Sequence, residues 1–292
     1  MVRHACGMFL LACAASVPAR AQDPIPPSAP SVDKITAEPA DASRNAFTAG
    51  AALAVLPSYE GSNDYVVIPG GFARGKLKSF NFFTRGTELY VDVVPDSSAS
   101  SVQVDVGPVI AVNLNRTFWI RDRRVRALGG RRVALELGGF AGVSSTGLLT
   151  GGGGDRLSAS LTYVHDVTGV NRSYVVTPIV EYGVPLSREF YVSVSASADY
   201  AGRGYARTYF GVDAAGAGRS GLPTFDPDDG FKNVTAGVLG TYAVQGDLLH
   251  GMSLFATGSY SRELNDFARS PVVSVAGDPD QLFGIVGLAF SF

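Results

Sequence analysis

The chain's last twelve residues read QLFGIVGLAFSF (281–292). Phe292, Phe290, Leu288, Val286, Gly284 and Leu282 fall on one face of this stretch, and Ser291, Ala289 and Gly287 on the other. Period-two alternation marks a strand, because successive side chains point to opposite sides of a pleated ribbon. The ends of soluble domains are usually polar and loosely held. A run this apolar is expected to be buried, either in a protein interior or in lipid.

The same alternation recurs upstream. In YVSVSASADY, Val192, Val194, Ala196, Ala198 and Tyr200 oppose Tyr191, Ser193, Ser195, Ser197 and Asp199. In LSASLTYV, Leu157, Ala159, Leu161 and Tyr163 oppose Ser158, Ser160 and Thr162. Val234, Ala236, Val238, Gly240 and Tyr242 share a face, as do Leu254, Ala256, Gly258 and Tyr260. Val102, Val104, Val106, Ile110 and Val112 stand against Gln103 and Asp105. A β-sandwich also alternates in this way. Three features favour a membrane barrel. Several apolar faces end in Tyr, as an interfacial girdle requires. The opposite faces are small and hydroxyl-rich, which suits a wet or tightly filled lumen. The segments also approach the ~9–11 residues that a tilted strand needs to span a bilayer.

Composition agrees. Charged residues make up 17% of the 292 residues, where about 25% is usual for soluble chains. Glycine is abundant, at 35, and the net charge of −2 predicts no pull toward nucleic acid. No run of about 20 apolar residues follows the first 25 positions, so membrane-spanning helices are not expected. The N-terminus has a positive start at Arg3, the apolar stretch ACGMFLLACAASV and a small-x-small site at Ala19–Ala21. This reads as a secretory signal over 1–21. A lipoprotein box ending at Cys13 is a competing reading, but it sits inside the apolar run. Removing the signal takes both cysteines, Cys6 and Cys13, with it. No disulfide or cysteine-bound zinc is then expected. His165 and His250 are too isolated for a metal site, and no cofactor is expected. Residues 22–44 are Pro-rich and poor in large apolar side chains, and read as a flexible periplasmic leader. The expected domain is 45–292.

Twelve strands are expected, at 45–56, 66–75, 79–85, 87–94, 101–113, 132–143, 156–166, 173–184, 189–200, 231–243, 251–262 and 282–292. Bacterial barrels have an even strand number, with both termini periplasmic and the longer loops outside. The parity fits: 57–65, 114–131, 201–230 and 263–281 fall on the outer side. The 79–85 strand is the weakest, which leaves a ten-strand count open. Pro69, Pro108 and Pro178 each remove a ladder donor, which points to bulges or displaced boundaries.

Several segments resemble the MltA-interacting protein / outer-membrane protein V family (MipA/OmpV). LPSYEGSNDYVVIPG (56–70) is similar to its first-loop pattern, Pro-x-Tyr-x-Gly-Ser followed by an aromatic residue and Pro. RTYFGVDAAGAGRSGLPTFDPDDGFKNV (207–234) is the strongest match, and ELNDFARSPVV (263–273) and the terminal Phe also fit. The 114–132 region and GGGGD (151–155) depart from the pattern. The resemblance implies an all-β, antiparallel transmembrane barrel in the bacterial outer membrane, with no enzymatic role. Family members are described as scaffolds that link a lytic murein transglycosylase to a bifunctional murein synthase. Others are treated as adhesins or porin-like proteins. A scaffold is the leading expectation, with a small-solute channel or adhesin as the alternative. Tyr59, Glu60, Tyr209, Phe210, Arg219 and Asp226, from the matched loops, are candidate binding residues. Phe292, Phe290 and Leu288 carry the terminal pattern read by barrel-assembly machinery.

Other motifs weigh less. Arg121, Arg123, Arg124, Arg126, Arg131 and Arg132 form either a solvated loop or a grip on lipopolysaccharide phosphates, since guanidinium binds phosphate bidentately. His165 and Asp166 are adjacent on a strand and must face opposite ways, so they are no catalytic pair. No Gly-x-Ser-x-Gly elbow occurs. The acids of DPDD (226–229) lack calcium-loop spacing. GGGGD lacks the Lys-Ser/Thr of a phosphate loop.

Overall fold

The computed structural model describes residues 47–77, 80–95, 101–150 and 154–292. The expected signal segment and leader, and Gly151 to Gly153 of GGGGD, lie outside the described residues. Twelve antiparallel strands close on themselves: β1 (Phe47–Pro57), β2 (Tyr65–Leu77), β3 (Phe80–Arg85), β4 (Glu88–Asp92), β5 (Val102–Asn113), β6 (Ala134–Thr146), β7 (Arg156–Asp166), β8 (Tyr174–Pro185), β9 (Phe190–Ala201), β10 (Gly230–Gly246), β11 (Gly251–Glu263) and β12 (Asp280–Ser291). The seam is the pairing of β1 with β12, from Thr48↔Ser291 to Val55↔Gly284. The weakly patterned 79–85 segment is a true strand, which settles the count at twelve. Short helices sit in the connections at one mouth: α1 (Arg123–Ala127), α2 (Arg203–Phe210), α3 (Ala214–Ser220), α4 (Asn265–Arg269) and α5 (Pro271–Ser274). β1 begins and β12 ends at the opposite mouth, so by the outer-membrane rule the helical mouth faces outward.

The alternation sorts as its chemistry demands. On β12, Leu282, Val286, Leu288, Phe290 and Phe292 are exposed on the outer wall, while Gln281, Ala289 and Ser291 are buried inside. On β7, Leu161 and Tyr163 face out and Thr162 and Val164 face in. Aromatic rings cluster at both rims. Tyr163 stacks on Tyr174 at 5.9 Å and Tyr200 meets Phe231 at 5.5 Å near the outer rim. Phe292 lies 6.1 Å from Phe47 near the other. Such girdles seat a barrel at the two membrane interfaces.

The three prolines do not produce the expected bulges. Leu53↔Pro69, Pro108↔Gly139 and Leu161↔Pro178 pair without a register shift. Each costs one donor: Pro69 lies where β2 has no β3 partner, Pro108 just past the end of the β4 ladder, and Pro178 in a gap of the β9 ladder between Val176 and Ile179. The register shifts on β10 instead, between Phe231 and Asn233 and again between Ala243 and Gln245.

The lumen is filled. Phe72 meets Phe255 edge-on at 5.1 Å, Phe83 stacks on Tyr90 at 4.7 Å, and Phe140 abuts Tyr90 at 5.2 Å. Inward glycines make the room. A Cβ on Gly50 would lie 2.2 Å from the Phe72 ring, and one on Gly287 would lie 2.6 Å from that of Phe255. Buried Ser193, Thr241, Ser253, Thr257 and Ser259 line much of the rest.

A charge on the outer wall should therefore be far worse than a small change within. Val286→Arg is expected to cost about 2–4 kcal/mol if it sits near the midplane. Ser259→Ala should stay within about 0.5 kcal/mol. Urea titration in vesicles, read by heat-modifiable gel mobility, measures both.

Candidate functional site

The helical connections form a folded cap over the outer mouth. Three of the five helices start on a side-chain cap. The Asp122 carboxylate accepts from the Arg124 and Val125 amides at the start of α1, and Asp213 accepts from Gly216 N at the start of α3. Gly221 ends α3 at φ +73°, a left-handed turn suited to glycine. One apolar cluster joins Tyr59, Ile120, Val125, Leu128, Val212, Leu222 and Val272. A second joins Tyr205, Tyr209, Phe210, Phe267 and Val273. Hydrogen bonds cross between loops. Tyr59 OH donates to Ala276 O at 2.7 Å, Arg116 Nη1 to Tyr209 O at 2.6 Å, and Arg131 Nε to Thr208 O at 2.7 Å. Burial, with Arg131 nearby, pushes the Arg116 guanidinium down to about 9.

Beneath the cap lies a buried ion network. Lys232 Nζ is 2.8 Å from Glu60 Oε1 and 3.1 Å from Asp199 Oδ2. Glu60 Oε2 accepts from Asn115 Nδ2 and from Tyr205 OH, each at 2.7 Å. Asp199 Oδ1 accepts from Thr177 Oγ1 at 2.7 Å. Lys232 also sits 5.1 Å from the centre of the Tyr205 ring, a cation–π distance. The bulge on β10 creates this arrangement. Simple alternation would turn Lys232 and Asn233 to opposite faces, yet both are buried inside while Phe231 and Val234 stay outside.

A cavity of about 50 Å³ adjoins the network. Its lining includes Glu60, Asn115, Trp119, Asn233, Glu263 and Gln281. Glu263 is 3% exposed, and its Oε2 has no hydrogen-bond partner among the described residues. A second cavity of about 50 Å³, between Arg85, Asp105, Arg156 and Glu181, lies farther from the cap.

Of the six residues expected from the matched loops, four come together. Tyr59, Tyr209 and Phe210 are buried in the cap's apolar clusters, and Glu60 is the hub of the ion network. The other two lie at the surface. Arg219 donates to Ala127 O at 3.1 Å, and Asp226 forms a two-pronged pair with Arg207 at 2.6 and 2.7 Å. That hydrogen bond holds the Asp226 carboxyl below its ordinary range. Asp228 pairs with Arg203 at 3.0 Å and Asp229 accepts from Tyr200 OH at 2.5 Å, so these three acids of DPDD have protein partners. His165 is exposed on the outer wall and Asp166 is buried, accepting from the Asn171 and Arg172 amides.

Lys232, Asp199, Glu263, Asn115 and Tyr205 were not singled out from the sequence. The available signal was charge inside otherwise apolar or hydroxyl-bearing strands, with Lys232 in a Lys-poor chain. Lys232→Met would strand Glu60 and Asp199 in the interior. It should cost about 3–5 kcal/mol and make the cap sensitive to protease. Asp226→Asn, at the surface, should leave cap protection intact. Limited proteolysis of the folded barrel distinguishes the two.

Comparison with solved structures gives channels and an outer-membrane protein. The COG4313 outer membrane channel from Pseudomonas putida F1 aligns with 12% identity and TM-score 0.44, over 88% of this chain and 100% of the other. The CymD monoaromatic hydrocarbon channel aligns with 11% identity and TM-score 0.40, over 86% and 89%. OmpT of Vibrio cholerae aligns with 7% identity and TM-score 0.35, over 85% and 97%. Comparison with curated protein sequences gives no match. The profile of the MltA-interacting protein MipA family matches residues 49–292, the whole barrel from its first strand. This chain is a bacterial outer-membrane barrel and belongs to the MipA family.

Proposed function

We propose that this barrel is a non-enzymatic scaffold that holds a murein-remodelling lytic transglycosylase at the periplasmic face, with a murein synthase as a second partner. The observation that carries this reading is the folded cap. Two apolar clusters and a buried ion network occupy the outer mouth, and aromatic rings fill the lumen below. A plugged barrel suits anchoring better than flux. The family description, MltA-interacting protein, supports the choice of partner. A small-solute channel would need the cap to move as a unit.

At the outer rim, Arg121, Arg123 and Arg132 are exposed. Arg126 is already engaged with Ile120 O and Arg121 O, and Arg131 with Thr208 O. Arg124 pairs with Asp122. The exposed arginines are the part of this segment best placed to meet lipopolysaccharide phosphates. Replacing Arg121, Arg123 and Arg132 together by Ala should reduce co-purifying lipopolysaccharide by several-fold, measured per folded barrel; unchanged lipid would remove this role.

The scaffold reading predicts a folded protein that is electrically silent in a planar bilayer and retains a lytic transglycosylase from periplasmic extract. Steady single-channel conductance together with an empty pull-down would overturn it.

A further inference from the structure

We propose that the cavity under the cap binds a primary ammonium group carried on an apolar tail, and that the tail reaches it sideways from the membrane through a notch beside β2. This site does not depend on the scaffold reading.

The notch follows from the strand register. On its β1 side, β2 is paired along its whole length, from Tyr65↔Pro57 to Gly75↔Phe47. On its β3 side it is paired only from Arg74↔Phe83 to Leu77↔Phe80, extended by the Thr84 hydroxyl on the Ala73 backbone. Residues 65–72 have no ladder on that side among the described residues. The β3–β4 hairpin turns at Gly86 and leans away to β5, where Val112 N donates to Thr87 O at 3.2 Å. The free edge has an edge strand's chemistry: Pro69 has no donor to leave unpaired, and Gly70 and Gly71 have no side chains to fill the gap. Its outward Val67 is 60% exposed, level with the lipid-facing wall. An open sheet edge within the hydrocarbon is tolerated only where it lines a cavity or is covered by protein.

The cavity meets this edge at Val66. Val66 and Leu56 form one side, and the connection after β5 contributes Leu114, Phe118 and Trp119 on the other. Phe118 and Trp119 are 39% and 45% exposed. Trp119 holds φ +47°, a strained backbone for a bulky residue and a feature that gathers at ligand clamps. The rim is therefore apolar and aromatic, suited to a hydrocarbon tail.

The inner end is acidic. Glu60 and Asp199 hold a single ammonium among the described residues, that of Lys232, and Glu263 shares the cavity lining with Glu60. Lys232 is committed to Glu60 and Asp199. Glu263 Oε2 and Gln281 Oε1 have no partner among the described residues, and both residues are almost fully buried in the cavity lining. Buried polar atoms of this kind are rarely left unpaired in native structures. Two unpaired oxygens, one of them on a carboxyl group, in a lining shared with Glu60 suit a donor that carries positive charge. The space, about 50 Å³, holds about four water-sized groups, enough for an aminomethyl head but not for the tail. An ammonium-bearing lipid headgroup and a free alkylamine share this chemistry.

Trp119 is the chain's single tryptophan and a built-in reporter. The full barrel in amine-free phosphatidylglycerol nanodiscs, titrated with octylamine, should show a saturable change in Trp119 emission. Octanol should give no saturable change. Glu263→Gln should weaken octylamine binding by about tenfold or more while heat-modifiable mobility stays normal. Including phosphatidylethanolamine separates the two sources: right-shifted octylamine curves assign the headgroup, and unshifted curves assign the free amine. Equal responses to octanol and octylamine, or unchanged binding in Glu263→Gln, would overturn the site. Acyl-chain-brominated phosphatidylglycerol should quench Trp119, and absence of quenching would overturn the sideways route.

Discussion

The contact between Lys232 and Glu60 holds the outer half of the molecule together. Glu60 comes from the first outer connection, Tyr205 from α2, Asn115 from the β5–β6 connection, and Lys232 and Asp199 from facing ends of β10 and β9. Five elements of the chain thus converge on one carboxylate and one ammonium. Burying these charges is expensive unless every partner is in place. The same cost penalises any arrangement in which one loop is displaced. The apolar clusters above the network supply cohesion, and the network beneath them sets which loop goes where.

The wall depends on a different constraint. No water in the bilayer can satisfy backbone groups, so strands must pair with one another and close. The outer face then takes Val, Leu and aromatic residues, and the charged fraction falls. The inner face must fill a confined space. It does so by setting large rings against residues without side chains, as with Phe72 over Gly50 and Phe255 over Gly287. Gly50 and Gly287, merely compositional in the sequence, have this use. The exception to closure, the upper edge of β2, is where the wall and the cavity meet.

The site was partly legible in advance. Tyr59, Glu60, Tyr209 and Phe210 stood out because they lie in loops resembling a family pattern, and they meet in space. Their roles differ from ligand contact, however: three pack the cap, and Glu60 anchors the ion network. Arg219 and Asp226 came from the same segments and lie at the surface, since segment resemblance carries no information on which way a side chain turns. Lys232 was hidden by a bulge. Period-two reasoning assigns it the wrong neighbour relation, and a single extra residue reverses that assignment.

The sequence by itself determined where most strands lie and the face each presents to lipid, while the weak β3 pattern left their number to the tertiary structure. These depend on local alternation and on the length needed to span the hydrocarbon, and both can be read along the chain. The tertiary structure alone decided that the lumen is filled, that the outer loops fold into a cap, and that Glu60 and Asp199 meet one ammonium. Those outcomes depend on residues far apart in the chain, such as Glu60 and Lys232, whose proximity is set by barrel closure and register rather than by any local pattern.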